Sequence, residues 1–179
     1  MLKPLILSVL GKSPRFGNNV FIAPNATIVG DVTVGAECSI WFNTVVRGDV
    51  HRIEIGDRTN IQDGAILHCT YQKAPLKIGS EVSIGHGAIV HGCTVHDRVL
   101  IGMGAKVLDH AVIESEVIIA AGALVLENFV AESGYLYAGI PARKIKPLTE
   151  AQKELLKRTA DNYILYASWF DSEENGVNP

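Results

Sequence analysis

The chain has 179 residues, of which 47% are hydrophobic and 20% are charged, and its formal net charge is −3. This composition excludes a disordered chain, and the length suits a single domain with a sizeable core. No basic patch is visible, and the longest apolar run, Val117 to Leu126, has ten residues where a membrane-spanning helix needs roughly 20. We therefore expect no nucleic-acid partner and no membrane partner. Three cysteines and no secretory signal predict a cytoplasmic protein without a disulfide framework.

A repeat of six residues dominates the chain from its N-terminal part onward. A helical period of 3.6 does not return to one face every six residues, whereas three flat sides of one short strand each do. We therefore predict an all-β fold over residues 1–147, a parallel β-helix with three hexapeptides per coil, whose pattern resembles the left-handed class. The spacing of six is broken after Val46 and after Leu67, and it shortens to five after Val90. The aliphatic residues that follow this pattern and are expected to point inward are Ile22, Ile28, Val34, Ile40, Val46, Ile55, Ile61, Leu67, Ile78, Ile84, Val90, Val95, Ile101, Val107, Ile113, Ile119 and Val125.

The chain changes character after the repeat. Thr149 is a suitable helix cap, and Gln152 completes a capping box with it. Neither Gly nor Pro occurs from Glu150 to Phe170, and apolar residues recur there at helical spacing. We predict one α-helix within residues 148–170, packed on the β-helix, and a flexible tail over residues 171–179.

Breaks in the repeat bring histidines into columns. Counting three steps per coil places Arg47, His68 and His91 in one column on three successive coils, about 4.8 Å apart, because each follows an inward aliphatic residue of the same side. By the same counting, His86 lies above Asp63 on the adjacent side. Two columns on different sides do not converge within one molecule, but around a threefold axis the column of one subunit faces that of its neighbour.

Three histidines in this arrangement suit a metal ion. Zn²⁺ takes His nitrogens at about 2.0–2.1 Å, and a catalytic site keeps a fourth position for water. The geometry predicts a homotrimer in which two histidines of one chain and the third of the next chain form one site. The remaining histidines are expected at solvent-facing turns, namely His51, His96 and His110.

The motifs that carry these residues resemble the gamma-class carbonic anhydrases over roughly residues 10–170. The stretches concerned are Arg47-Gly48-Asp49, Asn60-Ile61-Gln62-Asp63-Gly64, Leu67-His68 and Gly85-His86-Gly87-Ala88-Ile89-Val90-His91-Gly92. The resemblance implies a left-handed β-helix homotrimer with metal sites at the subunit interfaces and with His68, His86 and His91 as ligands. It implies zinc as the metal, with iron or cobalt able to occupy the same site.

The resemblance also implies roles for the polar residues around the metal. Arg47 and Asp49 are implied to make an intersubunit pair. Gln62 and Asp63 are implied to lie beside the metal-bound water, and Tyr163 falls where the family has a polar helix residue near the site. The implied reaction is the attack of metal-bound hydroxide on CO2 to give bicarbonate.

The loop over residues 69–76 departs from the family pattern. The family prototypes carry an acidic loop after the first ligand, with a glutamate as proton shuttle, whereas this loop has no carboxylate. Regeneration of the nucleophile requires a proton route to solvent, so we expect slow CO2 hydration.

Two other classes of function use the same trimer. A metal-dependent thioesterase or a hexapeptide acyltransferase would act on an acyl-coenzyme A thioester. A scaffold trimer would keep the metal for stability alone. Metal content separates the acyltransferase from the anhydrase, and the scaffold predicts metal without turnover.

Overall fold

The structure is a computed structural model, and it describes residues 3–170. These residues form a parallel β-helix followed by a single α-helix, so the predicted all-β fold of hexapeptide repeats with one C-terminal helix is confirmed. The predicted flexible tail, residues 171–179, lies outside the described residues.

Short strands make up the three sides of the coil, in two hydrogen-bonded sheets. The 12-stranded sheet bends around two sides and contains β1 (Leu5–Leu7), β2 (Arg15–Phe16), β4 (Thr27–Val34), β6 (Val45–Ile55), β8 (Ile66–His68), β9 (Leu76–Ile78), β11 (Ile89–His91), β12 (Thr94–Val95), β14 (Lys106–Val107), β15 (Val112–Ile113), β17 (Leu124–Val125) and β18 (Val130–Ala131). The 8-stranded sheet contains β3 (Phe21–Ile22), β5 (Ser39–Ile40), β7 (Asn60–Ile61), β10 (Ser83–Ile84), β13 (Leu100–Ile101), β16 (Ile118–Ile119), β19 (Tyr135–Ala138) and β20 (Arg143–Pro147).

The register between coils follows the count made from the sequence. Ile28 pairs with Val46, which is the regular 18-residue step. Val46 then pairs with Leu67, and Leu67 with Val90, so these two steps contain three and five extra residues. The three extra residues of the first step lie within β6, between Gly48 and Ile53, and the five of the second step lie in the loop after His68. Both insertions leave the aliphatic positions in line. The predicted stacking of the three coils that carry the histidines is therefore confirmed.

Side chains at the aliphatic positions fill one continuous core along the coil. Leu67 and Ile84, which lie close to histidines in the sequence, are completely buried. Cys38, Cys69 and Cys93 are also buried and form no disulfide. Burial raises the pKa of the Cys69 thiol to about 11, so this residue is an inert packing group. The histidines are thus attached to strands that a close-packed core holds in place.

The helix α1 (Glu150–Ser168) packs along the 8-stranded sheet. Its predicted capping box is confirmed, since the Gln152 backbone N–H donates to the Thr149 hydroxyl and the Gln152 side chain accepts from the Thr149 backbone N–H. Leu156 is buried against Ile118 in a small second cluster. Within residues 3–170, no helix has the length and the apolar character that crossing a membrane requires.

Candidate metal centre

His68 and His91 lie side by side at the ends of neighbouring strands. Strands β8 and β11 end at these residues, and the register makes them direct partners. His68 Nδ1 is 3.0 Å from His91 Nε2. Two ligand nitrogens around one tetrahedral Zn²⁺ lie about 3.3 Å apart. This pair of imidazoles therefore suits two of the ligand positions of one such ion.

A carboxylate lies behind each of these two histidines. Asp49 Oδ1 is 3.3 Å from His68 Nε2, and Asp109 Oδ1 is 2.5 Å from His91 Nδ1. Metal-ligating histidines almost always donate their second ring N–H to a carboxylate, a backbone carbonyl or water. When both histidines donate to these carboxylates, the two nitrogens that face each other carry no proton and are available as metal ligands.

Arg47 lowers the pKa of two groups at this site, Asp49 and His68. Its Nη1 is 2.6 Å from Asp49 Oδ2, within the same chain. Burial raises the pKa of Asp49, but the hydrogen bond and the positive charge of Arg47 outweigh it and hold that pKa below its ordinary value. Burial and then the Arg47 charge lower the pKa of His68, which favours the neutral imidazole that binds metals. The implied intersubunit role of this pair stays a prediction.

His86 lies on the adjacent side of the coil, in the turn after β10. Its Nδ1 is 2.9 Å from Asp63 Oδ2, as the predicted column requires, and its side chain is half exposed. Glycines flank it for steric reasons. A Cβ at Gly85 would lie 2.7 Å from Met103 N, and Gly87 has a φ of 65°, which only glycine adopts at low cost. The turn therefore presents His86 outward with one imidazole nitrogen, Nε2, unused by Asp63.

Gln62 is buried at the base of the same side. Its Nε2 donates to Asn60 Oδ1 at 2.9 Å, and its Oε1 and second N–H are left for other partners. Gln62 and His86 line one groove of about 320 Å³, whose other walls include Leu100 and Ile118. The groove is therefore mostly apolar, and Gln62 and His86 are the polar side chains in its lining.

Tyr163 lies on α1 and packs edge-on against Trp41, with ring centroids 5.5 Å apart. An ion pair between Arg58 and Asp161 holds this part of the helix on the coil. Burial, followed by the negative charge of Asp63, raises the pKa of Tyr163 to about 12. The phenol is therefore protonated at neutral pH, and the Asp63 carboxylate acts on it electrostatically.

The His68–His91 pair and His86 stay apart within one chain. In the part of the chain that the structure describes, no three His, Cys, Asp or Glu side chains are placed to hold one metal ion. The pair belongs to the 12-stranded sheet, whereas His86 follows β10 of the 8-stranded sheet. Each chain thus presents the His68–His91 pair and His86 on different sides of the coil.

Thr70 and Asp109 lie in a hydrogen-bonded chain with His91 but were not identified from the sequence. Val90 pairs with Val107, a step of 17 residues, so the count that stacked His91 on His68 leads to Leu108. Asp109 lies one residue further on, against Gly92. Thr70 Oγ1 donates to Asp109 Oδ2 at 2.5 Å. It lies in the loop after His68, where the repeat is interrupted and gives no register.

Comparison with known proteins identifies related chains. The family model described as bacterial transferase hexapeptide (six repeats) matches residues 13–48 and 92–127. The carbonic anhydrase of Geobacillus kaustophilus is 49% identical over 160 residues, which cover 89% of this chain and 87% of that protein. Mitochondrial gamma carbonic anhydrase 2 of Arabidopsis thaliana is 40% identical over 95% of this chain and 63% of that protein.

A solved structure agrees with these matches. The crystal structure of a hexapeptide transferase family protein from Anaplasma phagocytophilum superposes with a TM-score of 0.89 at 40% identity, over 93% of this chain and 98% of that one. This chain thus shares the fold of that protein. The coil, the motifs around the histidines and these identities together show that the chain belongs to the gamma carbonic anhydrase family of hexapeptide-repeat proteins.

Proposed function

We propose that the protein is a homotrimeric, zinc-dependent carbonic anhydrase of the cytoplasm, with its metal sites between subunits. The observation that carries the proposal is the pair of imidazoles of His68 and His91, whose facing nitrogens are 3.0 Å apart. The third histidine, His86, lies on another side of the coil. The carbonic anhydrases among its relatives support the reaction.

His68 and His91 of one subunit and His86 of the next would hold the metal. All three imidazoles have a carboxylate at one nitrogen: Asp49, Asp109 and Asp63 respectively. Neutral imidazoles suit zinc, and iron and cobalt accept the same donors. Neither the His68–His91 pair nor His86 alone supplies three ligands, so the trimer would be required to complete the site.

The side chains beside His86 supply the other parts of the mechanism. When bound, the zinc ion acts as a Lewis acid and lowers the pKa of a coordinated water molecule to about 7. Asp63 binds His86 through Oδ2, so its Oδ1 would accept a proton from the attacking water. The free amide N–H of Gln62 would donate to an oxygen of CO2 or bicarbonate and orient it.

The surroundings of these groups suit an apolar substrate with a polar product. The groove beside His86 has Leu100 and Ile118 in its walls, so CO2 enters it without losing hydrogen bonds to water. Tyr163 would act as a hydrogen-bond donor near the site, because its hydroxyl is protonated at neutral pH and interacts with the charge of Asp63. The carboxylate-free loop 69–76 provides no acidic group for proton exit, and we therefore propose slow turnover.

Thioester hydrolysis or acyl transfer from acyl-coenzyme A is a second candidate. The observation that favours it is the same groove of about 320 Å³, which has room for a short acyl chain. The hexapeptide transferase name of the Anaplasma phagocytophilum relative points in the same direction.

Stopped-flow CO2 hydration on protein purified without chelator tests the proposed function, with metal content measured on the same sample. We expect about one metal ion per chain, as three shared sites per trimer require, and hydration that a chelator abolishes. Metal at this level without hydration would refute the anhydrase. Hydrolysis of acyl-coenzyme A by that sample would then identify a thioesterase, and no turnover of either substrate would identify a scaffold.

A further inference from the structure

Thr70, Asp109 and His91 form a continuous hydrogen-bonded chain. Thr70 Oγ1 donates to Asp109 Oδ2, and His91 Nδ1 donates to Asp109 Oδ1, each at 2.5 Å. Both oxygens of the carboxylate are thus occupied, and its side chain is only 17% exposed. Hydrogen bonds to an ionised acceptor are shorter and about twice as strong as neutral ones. The geometry therefore fixes the orientation of both the carboxylate and the imidazole.

The backbone around His91 is shaped to admit the carboxylate. A Cβ at Gly92 would clash with Asp109 Oδ1 and would lie 2.7 Å from Ala74 Cβ. Only a glycine after His91 lets Asp109 approach from the next coil. The same close packing brings the loop that contains Ala74 against this point.

Backbone hydrogen bonds close the loop after His68 and fix the position of Thr70. Thr70 and Ala74 form an isolated bridge, and Lys73 N donates to Thr70 O at 3.1 Å. The loop is therefore a tight turn with Thr70 at its base. The Thr70 hydroxyl points to the carboxylate that holds His91.

We propose that Thr70 and Asp109 are positioning residues that preset His91 as a metal ligand. A neutral imidazole carries one ring proton. Donation of Nδ1–H to Asp109 keeps that proton away from Nε2, the nitrogen that lies 3.0 Å from His68 Nδ1. The inference rests on the proposed function only in taking His91 as a ligand. It assigns to the short loop the role of supporting the metal site, through Thr70.

Asp97 is a matched control for Asp109, because its role in the coil is purely structural. It also packs on a glycine of the preceding coil, since a Cβ at Gly79 would clash with Asp97 Oδ1. Its Oδ1 accepts the backbone N–H of Ser80 at 2.8 Å, so its hydrogen bond goes to backbone and not to a histidine ring. Asp97→Asn therefore reports what the loss of a turn carboxylate does to the coil alone.

The test is the zinc dissociation constant of the metal-stripped full chain, measured by competition with a chromophoric chelator. Asp109→Asn is expected to raise this constant about 10–100-fold, the usual effect of losing such a partner, and Asp97→Asn is expected to leave it unchanged. Thr70→Val should raise it less, and Thr70→Ser should restore the wild-type value because it keeps the hydroxyl. The visible spectrum of the cobalt-loaded protein should change in Asp109→Asn and not in Asp97→Asn.

Melting of the metal-free variants separates positioning from folding. We expect Asp109→Asn and Asp97→Asn to melt at similar temperatures without metal. Equal zinc affinity of wild type and Asp109→Asn, or equal losses in Asp109→Asn and Asp97→Asn, would overturn the proposal. Wild-type protein that binds zinc without hydrating CO2, while Asp109→Asn still weakens zinc, would refute the proposed function and leave the positioning role standing.

Discussion

Replacing His91 with Ala is expected to remove the metal from the protein and to abolish CO2 hydration. The substitution deletes one of the two facing nitrogens, which lie 3.0 Å apart, and it leaves Asp109 without its imidazole partner. Metal content after dialysis should fall from about one ion per chain to below about a tenth, because a catalytic zinc site needs its three protein ligands. Zinc at a thousandfold excess over its dissociation constant stabilises a protein by about 4 kcal/mol. The variant should lose that stabilisation entirely.

His96→Ala is the matched control for His91→Ala. His96 is exposed and follows β12, on another side of the coil. Its removal should leave metal content, melting temperature in zinc and hydration at wild-type levels. A His91→Ala protein that keeps its full metal content would show that His91 is not a ligand.

Leu67→Ala is expected to destabilise the metal-free protein by about 2–5 kcal/mol, the usual cost of truncating a buried leucine. Leu67 is completely buried and stacks between Val46 and Val90 in neighbouring coils. Urea unfolding at a fixed protein concentration measures the change. Because Leu67 directly precedes His68, we also expect weaker zinc binding from the variant that remains folded.

Leu165→Ala is the control for Leu67→Ala, because it truncates a leucine to alanine at an exposed position. Leu165 lies on α1 with 53% of its surface exposed, so the same truncation removes little buried area. Its free energy of unfolding should stay within about 0.5 kcal/mol of wild type, as for most surface substitutions. Equal losses in the two leucine variants would contradict the assignment of Leu67 to the continuous core.

The positions of the histidines were predictable because the repeat fixes which residues point inward. The insertions, one within β6 and one in the loop after His68, leave whole steps of the repeat intact, so counting from Val46 to Leu67 and Val90 gave the observed register. His68 and His91 then had to be neighbours. The capping box at Thr149 was equally local, since it depends on residues three apart.

Other contacts depended on side-chain reach, which the repeat does not determine. Thr70 reaches Asp109 from a loop that interrupts the period. Arg47 bonds to Asp49 in its own chain, because residues two apart on a strand lie on the same face. That face was apparent from the sequence, and the intersubunit pair that the resemblance implies stays a prediction. Tyr163 could not be oriented before the helix was docked against Trp41.

Mixed trimers test most directly whether each metal site is shared between two subunits. His86→Ala and His91→Ala chains with different affinity tags are co-expressed, and trimers that contain both are isolated through the two tags. In every such trimer, one interface joins an intact His68–His91 pair to an intact His86. We predict about one third of the wild-type metal content and hydration, because a threefold ring has three interfaces. Mixed trimers as empty as either variant alone would contradict a shared site.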